Sequence, residues 1–233
     1  MPKIYGATLR AARPDDLANI LKFFEEANDS NTLSRPRRDY ERSVESGGFY
    51  LVEVDGDLVA AAGMFYLKDT DSGPLEMGGC HVAPNYRGFN LQKLLTLPRI
   101  AYATLFGDEG GAIYTAIKPD NVHSLNSVTK AGFDLLTQDV PLLIRPCVSC
   151  NAHPDANSER TCCCDFFYLP IKARCAALEK LLAIRPVIQQ KRDGSAQMTV
   201  ALDIMFLTNR RYHEALKEFV QNSKHTGRIK ELN

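Results

Sequence analysis

The chain predicts a mixed α/β (α+β) fold, a mixed β-sheet flanked by helices, on three observations. Strand-like and helix-like segments alternate along residues 1–171. Asp55-Gly56 joins two β-rich segments as a tight hairpin turn. A strand over 76–83 runs through Pro84-Asn85 into an Arg-Gly loop that opens a helix.

In order, a short strand precedes Pro14-Asp15-Asp16, a helix start, and Leu17, Ile20, Leu21 and Phe24 follow at helical spacing. Asn28–Arg38 is a polar loop whose Arg35, Arg37 and Arg38 form a basic cluster, read as a solvated loop or an anion site. Residues 39–46 read as a short helix and Phe49–Tyr66 as a hairpin about Asp55-Gly56. After a loop at 68–75 comes the strand at 76–83. Its Gly78 and Gly79 imply a bulge or a close backbone approach. Residues 90–106 read as a helix that Pro98 kinks or splits. Ala112–Ile117 is a strand, 122–131 a helix, and Asp134–Ile144 with Phe166–Ile171 a long hairpin. Residues 172–233 read as an extension of helix (Ala173–Ile184), polar loop (Gln189–Ser195), strand (Met198–Leu207) and helix (Asn209–Gln221, capped by Asn209).

The 233 residues, 45% hydrophobic and 24% charged, suit one globular domain with an extension. Formal net charge is zero, so the global balance calls for neither nucleic acid nor an anionic membrane. No apolar run approaches the ~20 residues that cross a bilayer. The N-terminus lacks an apolar signal region, so a cytoplasmic protein is expected.

Two stretches carry the chemistry, Glu76–Leu95 and Asn121–Phe133. Amides at a helix start point outward and can hold an anion such as a pyrophosphate. The second stretch is a short helix that begins after Pro119-Asp120-Asn121 and ends at Gly132. Together they resemble the acyl-CoA-binding core of the GNAT N-acyltransferase superfamily. That family's first motif is a strand ending Val-x-Pro-x-x-Arg-Gly, matched by Val82, Pro84, Arg87 and Gly88. Its second is an Asn eleven residues before a Gly-Phe pair, matched by Asn121, Gly132 and Phe133. The resemblance covers roughly residues 1–170. It departs from the family at the phosphate loop, where Arg87-Gly88-Phe89-Asn90-Leu91-Gln92 replaces two customary glycines with Asn90 and Gln92. Asn tolerates unusual backbone angles, whereas Gln92 adds a side chain near the phosphate site. Val128 stands where many members carry a proton-donating Tyr.

The resemblance implies a sheet splayed between the strands at 76–83 and 112–117, with the acyl donor in the splay. It implies a base at Glu76, six residues before Val82, a residue that suits a surface position at a strand start equally well. Ser124 joins Glu76 as a catalytic candidate. Strand alternation puts Glu76, Gly78, Cys80 and Val82 on one face and His81 on the other. An N–H near Cys80, His81 and Val82 would stabilise the oxyanion. Arg87, Gly88, Phe89, Asn90, Leu91 and Gln92 would surround the pyrophosphate, and Asn121 and Ser124 would lie by the pantetheine arm. Asn121 suits helix capping equally well. His123 is an acid–base candidate or a surface residue. Tyr86 and Tyr114 are stand-in acids or packing residues. Cys80 is a covalent nucleophile or, more in keeping with its strand, a buried filler.

Five of the seven cysteines cluster. Cys147-Val-Ser-Cys150, then Cys162-Cys163-Cys164, give two pairs of thiolates spaced to close a hairpin tip on one tetrahedral ion. Alternation turns Cys162 and Cys164 the same way. A structural zinc held by Cys147, Cys150, Cys162 and Cys164 is expected, with His153 a rival ligand.

The expected organisation is an acyltransferase domain over 1–171, with a cysteine-rich metal-binding tip at 145–165, and an extension over 172–233. The expected activity moves an acetyl or other acyl group from acyl-CoA to an amine of a small molecule or protein, by direct attack in a ternary complex. The alternative is an inactive fold of the same kind that binds partners through the metal hairpin and the extension. Nucleic acid ranks third, since the segment between the cysteines has little positive charge and no aromatic. The strand at 198–207 needs a partner, in its own sheet or across a homodimer.

Overall fold

The computed structural model describes residues 3–27, 35–67, 74–107, 113–136, 164–183 and 186–230. Its elements are β1 (Lys3–Ala11), α1 (Leu17–Ala27), α2 (Arg37–Glu45), β2 (Phe49–Val54), β3 (Asp57–Tyr66), β4 (Leu75–Val82), α3 (Leu91–Phe106), β5 (Ile113–Ile117), α4 (Val122–Ala131), β6 (Asp134–Leu135), β7 (Asp165–Leu169), α5 (Ile171–Ala183), β8 (Val187–Gln190), β9 (Ala196–Asp203), α6 (Met205–Thr208) and α7 (Arg210–Lys230). One mixed sheet runs β6-β7-β5-β4-β3-β2-β1-β9-β8.

Two apolar layers sandwich the sheet. On one face Ile20, Tyr40 and Val44 from α1 and α2 pack on Phe49, Leu51 and Phe65. On the other, Leu94, Leu95 and Ile100 of α3 meet Leu178 and Leu181 of α5 and Leu216 and Val220 of α7. Alternation along β2 and β3 splits their side chains between the layers, so both strands are buried on both faces. The hairpin turns at Asp55 and Gly56, both with positive φ (53° and 86°), as an Asp-Gly turn requires.

The sheet opens between β4 and β5. These parallel neighbours pair only at Leu75↔Ile113 and Glu76↔Tyr114. Beyond Glu76, β4 stays with β3 while β5 stays with β7. The expected splay is present, with Glu76 at its vertex.

Several sequence expectations change. Helix α3 runs unbroken through Pro98; the proline only removes the N–H that would have bonded the carbonyl of Leu94. The extension is helix–strand–strand–helix–helix rather than helix–strand–helix, because Val187–Gln190 forms β8, taking in the first two residues of the loop expected over Gln189–Ser195. Its longer strand ends at Asp203, and Met205–Thr208 turns into a short helix. Strand β9 finds its partner in its own chain, pairing in parallel with β1 from Lys3↔Ala196 to Arg10↔Asp203. Asn209 caps α7 as expected, its Oδ1 accepting from the Arg211 N–H at 3.0 Å. Of the long hairpin, β6 and β7 pair antiparallel at Asp134↔Tyr168 and Leu135↔Phe167, and 137–163 lie outside the described residues.

Candidate active site

The site is built around β4, whose alternation is broken by one residue. Met77↔Met64 and Gly78↔Gly63 hold one register with β3, and His81↔Ala61 the next. Gly79 and Cys80 therefore oppose Ala62 together, as a β-bulge with Gly79 at φ +51°. A residue with a Cβ held there costs about 1–2 kcal/mol, which explains the glycine.

The bulge corrects the expected faces. Glu76 and His81 lie on the α1/α2 side, whereas Cys80 and Val82 pack into the α3 layer. His81, 5% exposed, is enclosed edge-on by Phe23 (ring centroids 5.2 Å apart) and Phe24 (6.3 Å). Cys80 is half-buried, and burial pushes its thiol pKa up against the opposing charge of Arg99. A thiol held protonated is a poor nucleophile, which favours the packing role for Cys80.

Glu76 is buried and paired. Its Oε1 accepts from Nη2 of Arg35 at 2.7 Å. The Arg35 guanidinium lies 4.0 Å above the Phe65 ring, a cation–π contact that shares the enclosure. Gly78 makes room for it: a Cβ there would come within 2.7 Å of Arg35 Nη2. Of the two expectations for these glycines, the bulge is found, at Gly79, while what approaches Gly78 is the Arg35 side chain rather than another backbone. The basic loop also divides. Arg35 is drawn onto β4, while Arg37 stays exposed and pairs with Glu41 at 2.7 Å.

Across β4, Arg99 of α3 is 2% exposed. Its Nε donates to the Leu95 carbonyl at 2.9 Å, and Nη1 reaches the Gly78 carbonyl at 3.4 Å. Burial lowers its pKa, opposed by the nearby Cys80 and Tyr50. Arg35 and Arg99 thereby brace the bulged segment from opposite faces. Sequence reasoning passed over Arg99 entirely; an arginine inside an apolar helix stretch was the available signal.

The loop from β4 to α3 matches what an anion site needs. Arg87 is exposed, with Nε donating to the Val82 carbonyl at 3.2 Å. Gly88 has φ +92°, and Asn90 is left-handed at φ 56°, ψ 27°. Asn90 thus adopts a left-handed backbone of the kind that glycine takes most readily. It is the N-cap of α3 but makes no side-chain capping bond, and no acidic residue lies in the first turn. The amides of Leu91, Gln92 and Lys93 precede the first helical acceptor, Asn90 O to Leu94 N at 3.1 Å, and so have no partner within the helix. Leu91 and Phe89 are buried as anchors, and Gln92 is half-buried with its carbonyl accepting from Thr96 Oγ1 at 2.9 Å. Phe89 and Tyr86 each meet the edge or face of Tyr5 at 5.9 Å and 5.7 Å, so Tyr86 has a packing role.

After β5, Asn121 caps α4, its Oδ1 accepting from the Ser124 N–H at 3.1 Å. Ser124 is half-buried, and His123 is exposed. Val128 is buried in the α3-side core, so its side chain serves packing. Gly132 closes α4 at φ +90°, with Ala173 of α5 against it.

Cys147, Cys150 and Cys162, with the rival His153, lie outside the described residues. Cys164 is described and buried just before β7. Among the described residues, no group of three or more His, Cys, Asp or Glu is placed to hold a metal. Likewise, no helix among them is long and apolar enough to cross a membrane.

A model of the acetyltransferase (GNAT) family matches residues 15–133. A search of curated proteins finds no match. Solved structures similar to the chain include a putative acetyltransferase from Salmonella typhimurium with its cofactor acetyl-CoA (17% identity, TM-score 0.49, covering 70% of this chain and 91% of that one). Another is the diaminobutyrate acetyltransferase of Paenibacillus lautus in complex with L-2,4-diaminobutyric acid and coenzyme A (13%, 0.48, 70% and 93%). A third is an Arabidopsis thaliana protein in complex with the bisubstrate analogue CoA-Ac-MVNAL (16%, 0.47, 70% and 95%). With the family model spanning just over half of its 233 residues, the chain belongs to the acetyltransferase (GNAT) family.

Proposed function

We propose that the protein is an N-acyltransferase that moves an acetyl group from acetyl-CoA to an amine. The observation that carries this reading is the left-handed Asn90 ahead of an uncapped α3, beside Gly88 at positive φ and an exposed Arg87. These residues suit a pyrophosphate: the amides of the first turn and the positive helix end face an anion with no carboxylate in the turn to compete.

The thioester, when bound, supplies an activated acyl carbon in the gap between β4 and β5. Glu76 stands at the vertex of that gap, on the α1/α2 side. In this reading its carboxylate takes a proton from the acceptor ammonium, directly or through a water; the free amine then attacks the acyl carbon, the C–S bond breaks, and CoA leaves as the thiol with the second proton lost by the nitrogen. Arg35 holds the carboxylate in one orientation. Past Glu76 the edge of β4 away from β3 faces no strand among the described residues, so in this reading backbone N–H groups between Cys80 and Val82 serve as oxyanion donors. In this reading Asn121 and Ser124, at the start of α4 after β5, offer amide and hydroxyl groups to the pantetheine arm, and Ser124 is the second catalytic candidate. The binding-module alternative draws on Asn90, Gln92 and Val128. Of these, Asn90 keeps the glycine-like backbone, which favours the enzyme.

A structural zinc on Cys147, Cys150, Cys162 and Cys164 is supported by the spacing of the cysteines. One equivalent of zinc in the purified chain, lost in Cys150→Ser, is expected; a metal-free chain of equal stability counts against it.

Calorimetric titration with acetyl-CoA tests the main reading. Binding that Arg87→Glu abolishes is expected, followed by thiol release when amines are screened as acceptors. Absence of binding by acetyl-CoA and longer acyl-CoAs would overturn it.

A further inference from the structure

The C-terminal extension carries its β8–β9 turn to the phosphate loop. A Cβ built on Gly88 would lie 3.4 Å from Cγ of Lys191 and 3.9 Å from the backbone nitrogen of Arg192. Nothing in the linear sequence connects these residues, which stand about a hundred positions apart.

The two loops are fixed relative to each other by a shared strand. On one side, Tyr5 of β1 packs against Tyr86 and Phe89 of the phosphate loop. On the other, the Lys3 N–H donates to the Ser195 carbonyl at 3.2 Å, where the β1–β9 ladder begins. The turn itself is tight. Lys191 N donates to Ala196 O at 2.9 Å, Gly194 N donates to Lys191 O at 2.9 Å, and Gly194 has φ +71°.

Its charge is compensated only in part from within, because Asp193 of the same turn attracts Lys191 without pairing with it. Neither Lys191 nor Arg192 forms a salt bridge among the described residues. The turn's one carboxylate is occupied locally: Asp193 Oδ1 accepts from the Ser195 N–H at 2.9 Å and the Ser195 hydroxyl at 2.5 Å. Arg87, across the loop, has among the described residues the Val82 carbonyl as its one hydrogen-bond partner. Three cationic residues therefore stand in or beside the loop that enters the uncapped α3. Lys191 is half-buried, its stem lying against Gly88.

We propose that the β8–β9 turn is a second arm of the donor site, in which Lys191 and Arg192 bind the phosphates of the CoA nucleotide. This inference rests on the acyl-CoA reading above and deepens it. It also accounts for Asn90 and Gln92. Side chains there hold phosphate farther from the backbone, and cations brought from the extension offset the loss through longer-range attraction. Long flexible ammonium and guanidinium groups suit a ligand with separate phosphate positions, the diphosphate and the 3′-phosphate.

The test titrates the full chain with CoA and with dephospho-CoA at low salt, comparing it with Lys191→Glu/Arg192→Glu. A loss of at least about tenfold in CoA affinity is expected, the equivalent of roughly 1.4 kcal/mol. A milder loss is expected for Lys191→Gln/Arg192→Gln, and none for Lys180→Glu, an exposed charge reversal on α5. A loss for CoA alone assigns the contact to the 3′-phosphate, and an equal loss for both ligands assigns it to the diphosphate; each supports the arm. Turnover with an acetyl thioester of pantetheine, which has no phosphate, should be unchanged in the double variants. Unchanged or tighter CoA binding by the charge-reversed variant would overturn the inference while leaving the acyltransferase reading intact. An equal loss with the pantetheine thioester would overturn it as well. Failure of the unaltered chain to bind CoA would remove both readings together.

Discussion

Arg10 and Arg87 show two uses of one side chain. Arg10, on β1, is enclosed by carboxylates. Its Nη1 and Nη2 donate to Asp16 at 2.7 and 2.9 Å, and Nε and Nη2 donate to Glu53 at 2.8 and 2.6 Å. Those bonds raise its pKa, Asp16 contributing most. Arg87 is exposed, with a single carbonyl at 3.2 Å. The first guanidinium is satisfied by its own fold and ties β1, β2 and the start of α1 together. The second, among the described residues, leaves most of its donors without a protein partner, in the loop that leads into α3. A cation already surrounded by carboxylates has little left to offer a ligand, whereas one without them has its full charge to offer.

Glu76 falls between these extremes, since it is paired like Arg10 yet sits where chemistry is proposed. The largest predicted effect tests that position. Glu76→Gln keeps the size of the side chain and removes its basicity, so kcat should fall roughly a hundred- to ten-thousandfold with little change in KM for acetyl-CoA. If kcat is retained while the melting temperature drops, Glu76 is a structural partner of Arg35, as Asp16 is of Arg10.

The next effect compares the arginines directly. Arg10→Ala leaves Asp16 and Glu53 facing each other without their cation, and a loss of about 2 kcal/mol in folding stability is expected. Its KM for acetyl-CoA should hold. Arg87→Ala should do the converse: an unchanged denaturation midpoint, with KM raised about tenfold, or roughly 1.4 kcal/mol. Urea titration and initial rates on the two variants read both quantities. A midpoint shift in Arg87→Ala, or a KM shift in Arg10→Ala, would break the distinction.

How much of this was legible in the sequence follows from the range of each signal. Local signals carried well: the Asp55-Gly56 turn, the Asn121 cap and the αL-tolerant Asn90 all behave as their residue types require. The splay was legible only through family resemblance, because parting strands leave no periodicity of their own. The two-residue repeat failed at Gly79, where one inserted residue moved His81 to the face of Glu76 and Cys80 away from it. Paired glycines flagged a disturbance, but strand alternation cannot say which side chains exchange faces. Long-range partners were least legible. Arg35 read as one of three loop arginines until Glu76 and Phe65 defined its place, and β8 was hidden because Val187–Gln190 alternates weakly over only four residues.

The smallest predicted effect separates the paired region by pH. Asp16 has its pKa lowered below the ordinary 3.8, chiefly by the hydrogen bond from Arg10, and further by the Arg13 backbone N–H. A carboxyl whose pKa is lower folded than unfolded adds stability that is complete above the unfolded value and disappears as pH falls through the folded one. Asp16→Asn should therefore be less stable than the parent chain near neutrality, by about 1 kcal/mol for a pair near the surface. The difference should hold down to roughly pH 5 and shrink below pH 4, where the parent loses what the variant never had. Donor affinity at neutral pH should be the same in both, since Asp16 answers to Arg10 and lies apart from the phosphate loop. A stability gap that persists unchanged into the acid range would mean that Asp16 acts through shape or uncharged hydrogen bonding, and that the charge balance assigned to Arg10 rests on Glu53 instead.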